Sequence, residues 1–300
     1  MSQVLDVNGK NYLYTFNYKD NEVLRRSLNN LARRIHGIDF EQWYQDGYWR
    51  ERYVPYSLLD GSSVVANISV NIIDFLILGQ QKRYIQIGTV MTDEAYRGQG
   101  LSRILMEKIL DEWEDNCDMI YLFANDSVLN FYPKFGFASV NEYECSRYVM
   151  KKNQSAIVRK LDMGSEEDRN LFYHTASNTL SFSKVTMQNN VSLVMFYCTS
   201  FMKDSIYYID HYNTAIIAEF DGDTVYLQDV FSKKDILIDS IIDAIVNEET
   251  NRVVLGFTPS DISTYENKLL DEEDTTLFIK AGKESPFELN QLRFPILSHA

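Results

Sequence analysis

Short stretches in which apolar and polar residues alternate recur along the first half of the chain, and each predicts a strand. The predicted strands are 12–18, 52–59, 63–72, 82–91 and 119–124, with two more inside 137–150. Apolar residues that return every three or four positions predict helices at 21–35, 39–45, 101–115 and 127–135. Short strands mixed with amphipathic helices predict an α/β or α+β domain in which helices flank a sheet.

The second half of the chain repeats this kind of pattern. Helices are predicted at 165–180, 188–201, 234–246 and 261–270, and strands at 205–209, 214–220, 224–230, 252–257, 276–281 and 287–295. The predicted helix near 101–115 and the strand at 118–124 both have a counterpart about 133 residues later. A fixed offset between consecutive elements predicts a duplicated unit. Because the polar stretch 151–155 lies between the halves, we expect domains at 1–150 and 155–300.

A glycine-containing loop joins the predicted strand 82–91 to the predicted helix 101–115. It reads Arg97-Gly98-Gln99-Gly100-Leu101-Ser102. Glycines let backbone N–H groups approach an anion closely, and the free amides at the start of a helix point toward the same place. The loop therefore predicts a site for a ligand that carries phosphates. It lacks the third glycine of a dinucleotide fingerprint and the Gly-Lys-Ser/Thr ending of a nucleoside triphosphate site.

A second motif follows the next predicted strand. Asn125 comes directly after 119–124, and the short helix behind it carries Phe131-Tyr132-Pro133-Lys134-Phe135-Gly136-Phe137. In this order, the two motifs resemble the signatures of the GNAT superfamily of N-acetyltransferases, Arg/Gln-x-x-Gly-x-Gly/Ala and Tyr-x-Lys-x-Gly-Phe. Ser102 stands where the first signature has Gly or Ala. The resemblance covers residues 10–150.

The resemblance implies the acetyltransferase (GNAT) fold, with a mixed, mostly antiparallel central sheet flanked by helices, and acetyl-CoA as co-substrate. It implies that the pantetheine arm lies between two separated parallel strands, where the backbone of Val90, Met91 and Thr92 would pair with it like an added strand. The pyrophosphate would lie on the amides of residues 97–102, and Asn125 would reach the pantetheine amides. Tyr132 matches the general acid that protonates the thiolate of CoA.

These expectations lead to an N-acetyltransferase that transfers acetyl from acetyl-CoA directly to the amine of a small molecule or a peptide. The alternative is a protein that binds acyl-CoA as a sensor or interaction module, without turnover. Tyr132 favours the enzyme, because a phenol is protonated at neutral pH and can give its proton to a leaving thiolate.

The residue types do not identify the base that would take the amine proton. Asp93 and Glu94 are expected to shape the glycine loop or cap the helix, and His36 to lie at the end of the first helix. His299 and the Ala300 carboxylate either form a mobile tail or plug the site.

Composition narrows the partners and the compartment. The 300 residues are 45% hydrophobic and 24% charged with a net charge of −14, which argues against a nucleic-acid partner. The acidic excess either keeps the surface solvated or forms a wall that attracts a cationic amine. No apolar run is long enough to span a membrane, and the first ten residues lack a secretion signal. The three cysteines are widely spaced, which argues against disulfides and a metal site and favours the cytoplasm.

The second half differs at the position equivalent to the glycine loop. Residues 230–235 contain no glycine, so the backbone is not expected to close on a pyrophosphate, and no Tyr-x-Lys-x-Gly-Phe follows. Lys233 and Lys234 are expected to be solvated. We therefore expect 155–300 to be a degenerate GNAT-like domain that borders the amine site or supports the first half.

Overall fold

The computed structural model describes residues 2–150, 156–282 and 284–299. It has the expected mixed composition of helices and mostly antiparallel strands. The strands of the first half are β1 Gln3–Val7, β2 Lys10–Phe16, β3 Tyr53–Asp60, β4 Ser63–Ile77, β5 Gln80–Thr92, β6 Met119–Ala124, β7 Phe137–Ser139 and β8 Tyr143–Tyr148. Its helices are α1 Glu22–His36, α2 Glu41–Gln45 and α3 Leu101–Trp113.

The second half contributes as many strands and four helices within the described ranges. Its strands are β9 Val158–Lys160, β10 Val185–Gln188, β11 Ile206–Ile209, β12 Thr214–Asp221, β13 Thr224–Ser232, β14 Arg252–Leu255, β15 Glu266–Leu269 and β16 Thr276–Lys280. The helices are α4 Glu166–Ala176, α5 Val191–Thr199, α6 Ile238–Ile245 and α7 Phe287–Asn290.

The ends of α1 follow from local chemistry. The side chain of Asn21 accepts the N–H of Leu24 at 3.2 Å, which satisfies one of the free amides of the first turn. Gly37 ends the helix at φ 70°, a left-handed angle that glycine adopts without strain. Between these caps, Leu28 and Leu31 lie on the face that is buried against the sheet.

The first sheet takes strands from both halves of the chain. Its order is β1-β2-β3-β4-β5-β6-β16-β7, and β10 adds to β4. Strand β16 therefore lies between β6 and β7, antiparallel to both, although some 140 residues separate it from them in sequence. The pair β5–β6 is parallel and is joined by α3.

The second sheet has the order β15-β8-β14-β13-β12-β11-β9. Strand β8 comes from the first half, so the halves exchange strands in both directions. The pair β13–β14 is parallel and is joined by α6, which repeats the β5–α3–β6 arrangement and agrees with the duplication predicted from the sequence. The boundary expected at 151–155 lies outside the described residues, and the expected division at one point does not anticipate this exchange.

Aromatic side chains from both halves form one continuous core. The indole Nε1 of Trp43 donates to the carbonyl oxygen of Ser192 at 2.8 Å, which joins α2 to α5. The rings of Tyr121 and Phe294 stack with their centroids 4.1 Å apart. Each of these aromatic residues is buried, so the interface between the halves has the character of a domain interior.

Three predicted elements differ from the structure. The helix predicted at 261–270 is wrong, since Glu266–Leu269 is an edge strand, and the strand predicted at 287–295 is a short helix, Phe287–Asn290. The helix predicted at 127–135 is two separate 3-10 turns, Asp126–Val128 and Tyr132–Phe135. In each case the segment is short, so contacts with distant strands decide its conformation.

None of the helices in the described ranges is both long and apolar enough to cross a bilayer. Within the same residues, no group of three or more His, Cys, Asp or Glu side chains is arranged to hold a metal ion. No disulfide bond joins Cys117, Cys145 and Cys198 to one another.

Candidate functional site

The parallel strands β5 and β6 pair over three residues and then separate. Residues 84–86 pair with 119–121, and no later pair joins the two strands in the described part of the chain, although β5 continues to Thr92 and β6 to Ala124. The gap opens into a cleft of 660 Å³ that both strands border. A separated pair of parallel strands offers unpaired backbone groups to an extended ligand.

The cleft wall on β5 contains a β-bulge at Thr89. The register between β4 and β5 shifts at this point, and Thr89 has φ 49°, an unusual angle for a β-branched residue. Two side chains hold it: Asn67 Nδ2 donates to the carbonyl oxygen of Thr89 at 3.1 Å, and the hydroxyls of Tyr53 and Thr89 lie 3.1 Å apart. A strained residue of this kind persists only where its surroundings hold it. The bulge is therefore a fixed feature of the cleft wall.

A buried chain of polar side chains lies beneath the bulge. Ser57 Oγ donates to Asn67 Oδ1 at 2.8 Å, Asn67 Nδ2 donates to Ser69 Oγ at 3.0 Å, and Ser69 Oγ donates to the Tyr53 hydroxyl at 2.9 Å. Tyr18 extends the chain with a 2.6 Å contact between its hydroxyl and Ser57 Oγ. Because these polar atoms satisfy one another, they form a fixed support for the bulge at Thr89.

The glycine loop ends where α3 begins. Gly98 has φ 77° and Gly100 has φ 82°, and a Cβ at either position would meet no atom within 4 Å. The backbone angle, rather than crowding, therefore calls for glycine at both positions. Gly100 is the N-cap of α3 and no side chain caps the helix, so its first amides are open to an anion.

The side chains of the loop point to different surroundings. Arg97 and Ser102 line the cleft, and Ser102 Oγ lies 2.6 Å from Thr92 Oγ1, which accommodates the hydroxyl that replaces the usual small residue. Gln99 instead accepts the Tyr12 hydroxyl at 2.7 Å, and Leu101 is buried in the core. These two residues and the two glycines lie next to the cleft lining rather than within it.

Asp93 shapes the loop, as the sequence predicts. Its side chain accepts the N–H of Ala95 at 3.1 Å and caps the 3-10 turn Glu94–Tyr96. Its other oxygen pairs with Arg34 Nη2 at 2.6 Å. No carboxylate lines the described part of the cleft, so the acidic wall considered from composition does not lie here.

Tyr132 and Asn125 lie on the β6 side of the cleft. Tyr132 is 5% exposed, and burial raises its pKa to about 12, so the hydroxyl is protonated at neutral pH. Asn125 Nδ2 donates to Asp274 Oδ2 at 2.9 Å, and the N–H of Asp126 donates to Asp274 Oδ1 at 2.8 Å. The cleft thus joins Val90, Met91, Thr92, Arg97, Ser102, Asn125 and Tyr132 from the predicted set.

The second half of the chain completes the site through residues that the sequence motifs do not mark. Asp274 orients Asn125, and Phe278 on β16 packs against Tyr132 with ring centroids 5.8 Å apart. His299 lines the cleft and stacks on Phe123 at 3.8 Å between centroids, so this part of the tail forms one wall of the site. No sequence signal links these residues to the motifs, because some 150 residues lie between them.

His299 lines the cleft, but its imidazole is poorly suited to act as the base. Burial lowers its pKa to about 3, so the imidazole is neutral at pH 7 and is a weak proton acceptor. Its Nε2 is buried and has no hydrogen-bond partner among the described residues. His36, at the exposed C-terminal end of α1, borders the same cleft.

The sequence model of the acetyltransferase (GNAT) family matches residues 25–137, the segment that carries the separated strands, the glycine loop and Tyr132. These residues form a GNAT domain. The family match supports acyl transfer as the general chemistry of the domain, and Arg97, Ser102 and Tyr132 from the two motifs line the cleft.

Solved structures share the fold at low sequence identity. A GCN5-related N-acetyltransferase from Kribbella flavida is 14% identical with a TM-score of 0.55, over 89% of this chain and 71% of that one. One from Anabaena variabilis is 15% identical with a TM-score of 0.54, over 88% and 72%. A protein from Pyrococcus horikoshii is 10% identical with a TM-score of 0.51, over 99% and 98%. No curated protein matches the sequence. The GNAT fold therefore extends beyond the 25–137 segment.

Proposed function

We propose that the protein is an acetyl-CoA-dependent N-acetyltransferase whose donor site is the cleft between β5 and β6. One observation carries the proposal: a single cleft runs past the separated strands, the uncapped start of α3 and the buried hydroxyl of Tyr132. Acetyl-CoA is an extended cofactor with a pyrophosphate toward one end, a pantetheine arm in the middle and a thioester at the other end. These groups match the start of α3, the separated strands and the Tyr132 hydroxyl, respectively.

Each part of acetyl-CoA then has a partner. The pantetheine arm lies along Val90, Met91 and Thr92, whose backbone groups on the β6 side extend the sheet. The pyrophosphate lies on the amides of residues 97–102, where the dipole of α3 contributes about 0.3–1 kcal/mol. Asn125 accepts a hydrogen bond from a pantetheine amide N–H through its Oδ1, because its Nδ2 already donates to Asp274.

The reaction is direct transfer to an amine. The amine nitrogen attacks the thioester carbonyl carbon, a C–N bond forms, the C–S bond breaks, and Tyr132 gives its proton to the departing thiolate. The proton that the amine nitrogen loses passes through water to the Tyr132 phenolate, which restores the phenol. Phe131, Phe137 and Phe278 surround the Tyr132 ring and hold it in place. Such a proton donor typically contributes a factor of about 10²–10⁴ to the rate.

Release of free CoA thiol, measured with polyamines, aminoglycosides, amino acids and peptides, tests the proposal. We expect amine-dependent thiol release, and we expect Tyr132→Phe to lower kcat by at least about tenfold while acetyl-CoA binding is retained. Tyr148→Phe is the matched control, since Tyr148 is 83% exposed and does not line the cleft.

Two outcomes would contradict parts of the proposal. An unchanged kcat in Tyr132→Phe would remove this residue from the general-acid role. Tight acetyl-CoA binding without thiol release across the whole panel would favour the non-catalytic acyl-CoA sensor.

A further inference from the structure

The second sheet repeats the separated strands of the first. Strands β13 and β14 pair in parallel over residues 224–227 and 252–255 and are not paired beyond that point within the described residues. The register with β12 shifts at Gln228, as it does at Thr89 in the first sheet. Gly256 then passes so close to Gln228 that a Cβ would lie 2.8 Å from its Cα. The second half therefore keeps a wedge, that is, a gap between two parallel strands that separate. In our proposal for the first half, the corresponding wedge between β5 and β6 holds the cofactor.

A segment of the chain itself closes this second wedge. The N–H of Leu180 donates to the carbonyl oxygen of Ser232 at the end of β13, at 2.7 Å. The N–H of Lys184 donates to the carbonyl oxygen of Thr258, beyond the end of β14, at 2.8 Å. Residues 180–184 thus lie across the mouth and bond to both sides, which excludes a pantetheine arm from this position.

Behind this segment a cavity of 280 Å³ remains. Its walls come from β13, α5 and β10, and they include Asp229, Asn190, Thr186, Val194 and Phe257. Because β10 is also the strand that pairs with β4, one wall of the cavity belongs to the first sheet. The volume suits a small organic molecule and is too small for a coenzyme.

Two hydrogen-bond acceptors line the cavity: one of them has no donor, and the other has no cationic partner. Asn190 is 5% exposed and its Oδ1 has no partner among the described residues, although it occupies the N-cap of α5. Asp229 accepts the N–H of Val230 at 2.8 Å and pairs with no Lys, Arg or His in the described ranges. Buried acceptors without donors are rare in proteins, and those in a cavity are positioned to receive donors from a ligand.

We propose that this cavity binds a small organic molecule with a protonated amine, whose N–H groups donate to the Asp229 carboxylate and to Asn190 Oδ1. The amine supplies the positive charge and the hydrogen-bond donors that the protein side chains do not supply to these two residues. This inference is independent of the activity proposed for the first half, since it uses neither the cleft nor its cofactor.

The ionisation of Asp229 gives the proposal a specific signature. Burial raises the pKa of Asp229 to about 7, so the carboxyl is partly protonated in the empty cavity at neutral pH. The thiol of Cys198 is a titratable group near it, and burial together with Asp229 raises the pKa of that thiol. Tyr173, a second titratable side chain, lines the same cavity. A bound cation favours the carboxylate, so binding at pH 7 releases about half a proton.

Calorimetry on the full chain tests the site with 1,4-diaminobutane, agmatine and tyramine, and with 1,4-butanediol as the uncharged control. We expect at least one amine to bind with a dissociation constant below about 1 mM, the diol not to bind, and the heat to vary with the buffer as proton release requires. Asp229→Asn should weaken amine binding at least about tenfold and abolish proton release. Asp221→Asn, at an exposed position on β12, is the matched control.

Asn190→Ala provides a second variant, which keeps the charge and removes the other acceptor. It should weaken the same amine several-fold, and it stands in for Asp229→Asn if that variant does not fold. Amine affinity that is equal in wild type and in the folded variants would overturn the proposal, because the amine would then bind elsewhere. Failure of all three amines to bind the folded wild-type chain would overturn it as well.

Discussion

Gly100 adopts a backbone angle that other residues reach only with strain, and it does so at the start of α3. We predict that Gly100→Ala weakens CoA binding at least about tenfold, because the strained loop shifts the amides that would hold the pyrophosphate. Gly222→Ala is the matched control, since Gly222 also has a positive φ, 55°, and a Cβ there would meet no atom within 4 Å. Both variants should lose about 1 kcal/mol of unfolding free energy.

Only Gly100→Ala should change the dissociation constant of CoA, which equilibrium titration measures directly. Equal CoA affinity in Gly100→Ala and Gly222→Ala would show that the loop is not the pyrophosphate site. The comparison separates a loss of stability from a loss of binding.

Asp229 should make the protein less stable as the pH rises. Its pKa is about 7 in the folded protein and near 4 in the unfolded chain, so below about pH 4 both states hold the proton and no penalty exists. Between about pH 4 and pH 7 only the unfolded state ionises, which favours unfolding, and above about pH 7 the penalty is constant. The difference is on the order of 4 kcal/mol.

Urea unfolding of wild type and Asp229→Asn across this pH range measures that penalty. The stability advantage of the variant should be near zero at about pH 4 and grow to several kcal/mol at about pH 7.5. Glu142, whose burial raises its pKa to about 7, titrates in the same range but is present in both proteins. If the difference in unfolding free energy between wild type and Asp229→Asn did not change with pH, the raised pKa of the Asp229 carboxyl would be contradicted.

At the scale of elements, comparison of the wedge between β5 and β6 with the wedge between β13 and β14 predicts how many CoA molecules bind per chain. Residues 180–184 close the second wedge, and the loop after β13 lacks glycine, so we predict one bound CoA per chain. Changing Lys233 and Lys234 together to Ala should leave this number unchanged, because both side chains are solvent-exposed. Equilibrium dialysis with labelled CoA counts the sites. Two CoA per chain, with one lost in the double variant, would refute the single-site prediction.

The sequence predicts those elements whose signals are local. The N-cap of α1, the glycine loop and the strand–helix–strand unit around α3 can be read from short segments, and all three are present. The segment Glu266–Leu269 is a strand because β8 lies beside it, and no local pattern carries that information. The same limit applies to the site: Tyr132 lies in a motif, whereas Asp274 and His299 reach the cleft through the tertiary fold.

At the scale of the whole molecule, the exchanged strands make the two halves interdependent. Strand β16 fills the space between β6 and β7, and Asp274 next to it holds Asn125. Several of the large side chains buried against the first sheet come from beyond residue 270. They are Leu277, Phe278, Ile279, Phe287 and Phe294.

A fragment of residues 1–150 should therefore not fold by itself. Loss of those five buried side chains removes on the order of 10 kcal/mol of apolar burial, which is comparable to the whole stability of a typical domain. It also leaves β6 and β7 with open edges, a known cause of aggregation. We predict that the fragment is aggregated or unfolded by circular dichroism and binds no CoA.

Co-expression with residues 156–300 should restore a soluble 1:1 complex that binds CoA, because the exchanged strands β8, β10 and β16 are then all present. A pair of fragments in which 270–300 is deleted from the second one is the control, and it should fail to assemble. If 1–150 alone gave a cooperative unfolding transition and bound CoA as tightly as the full chain, the exchange would be dispensable. Folding and cofactor binding would then belong to the GNAT domain alone.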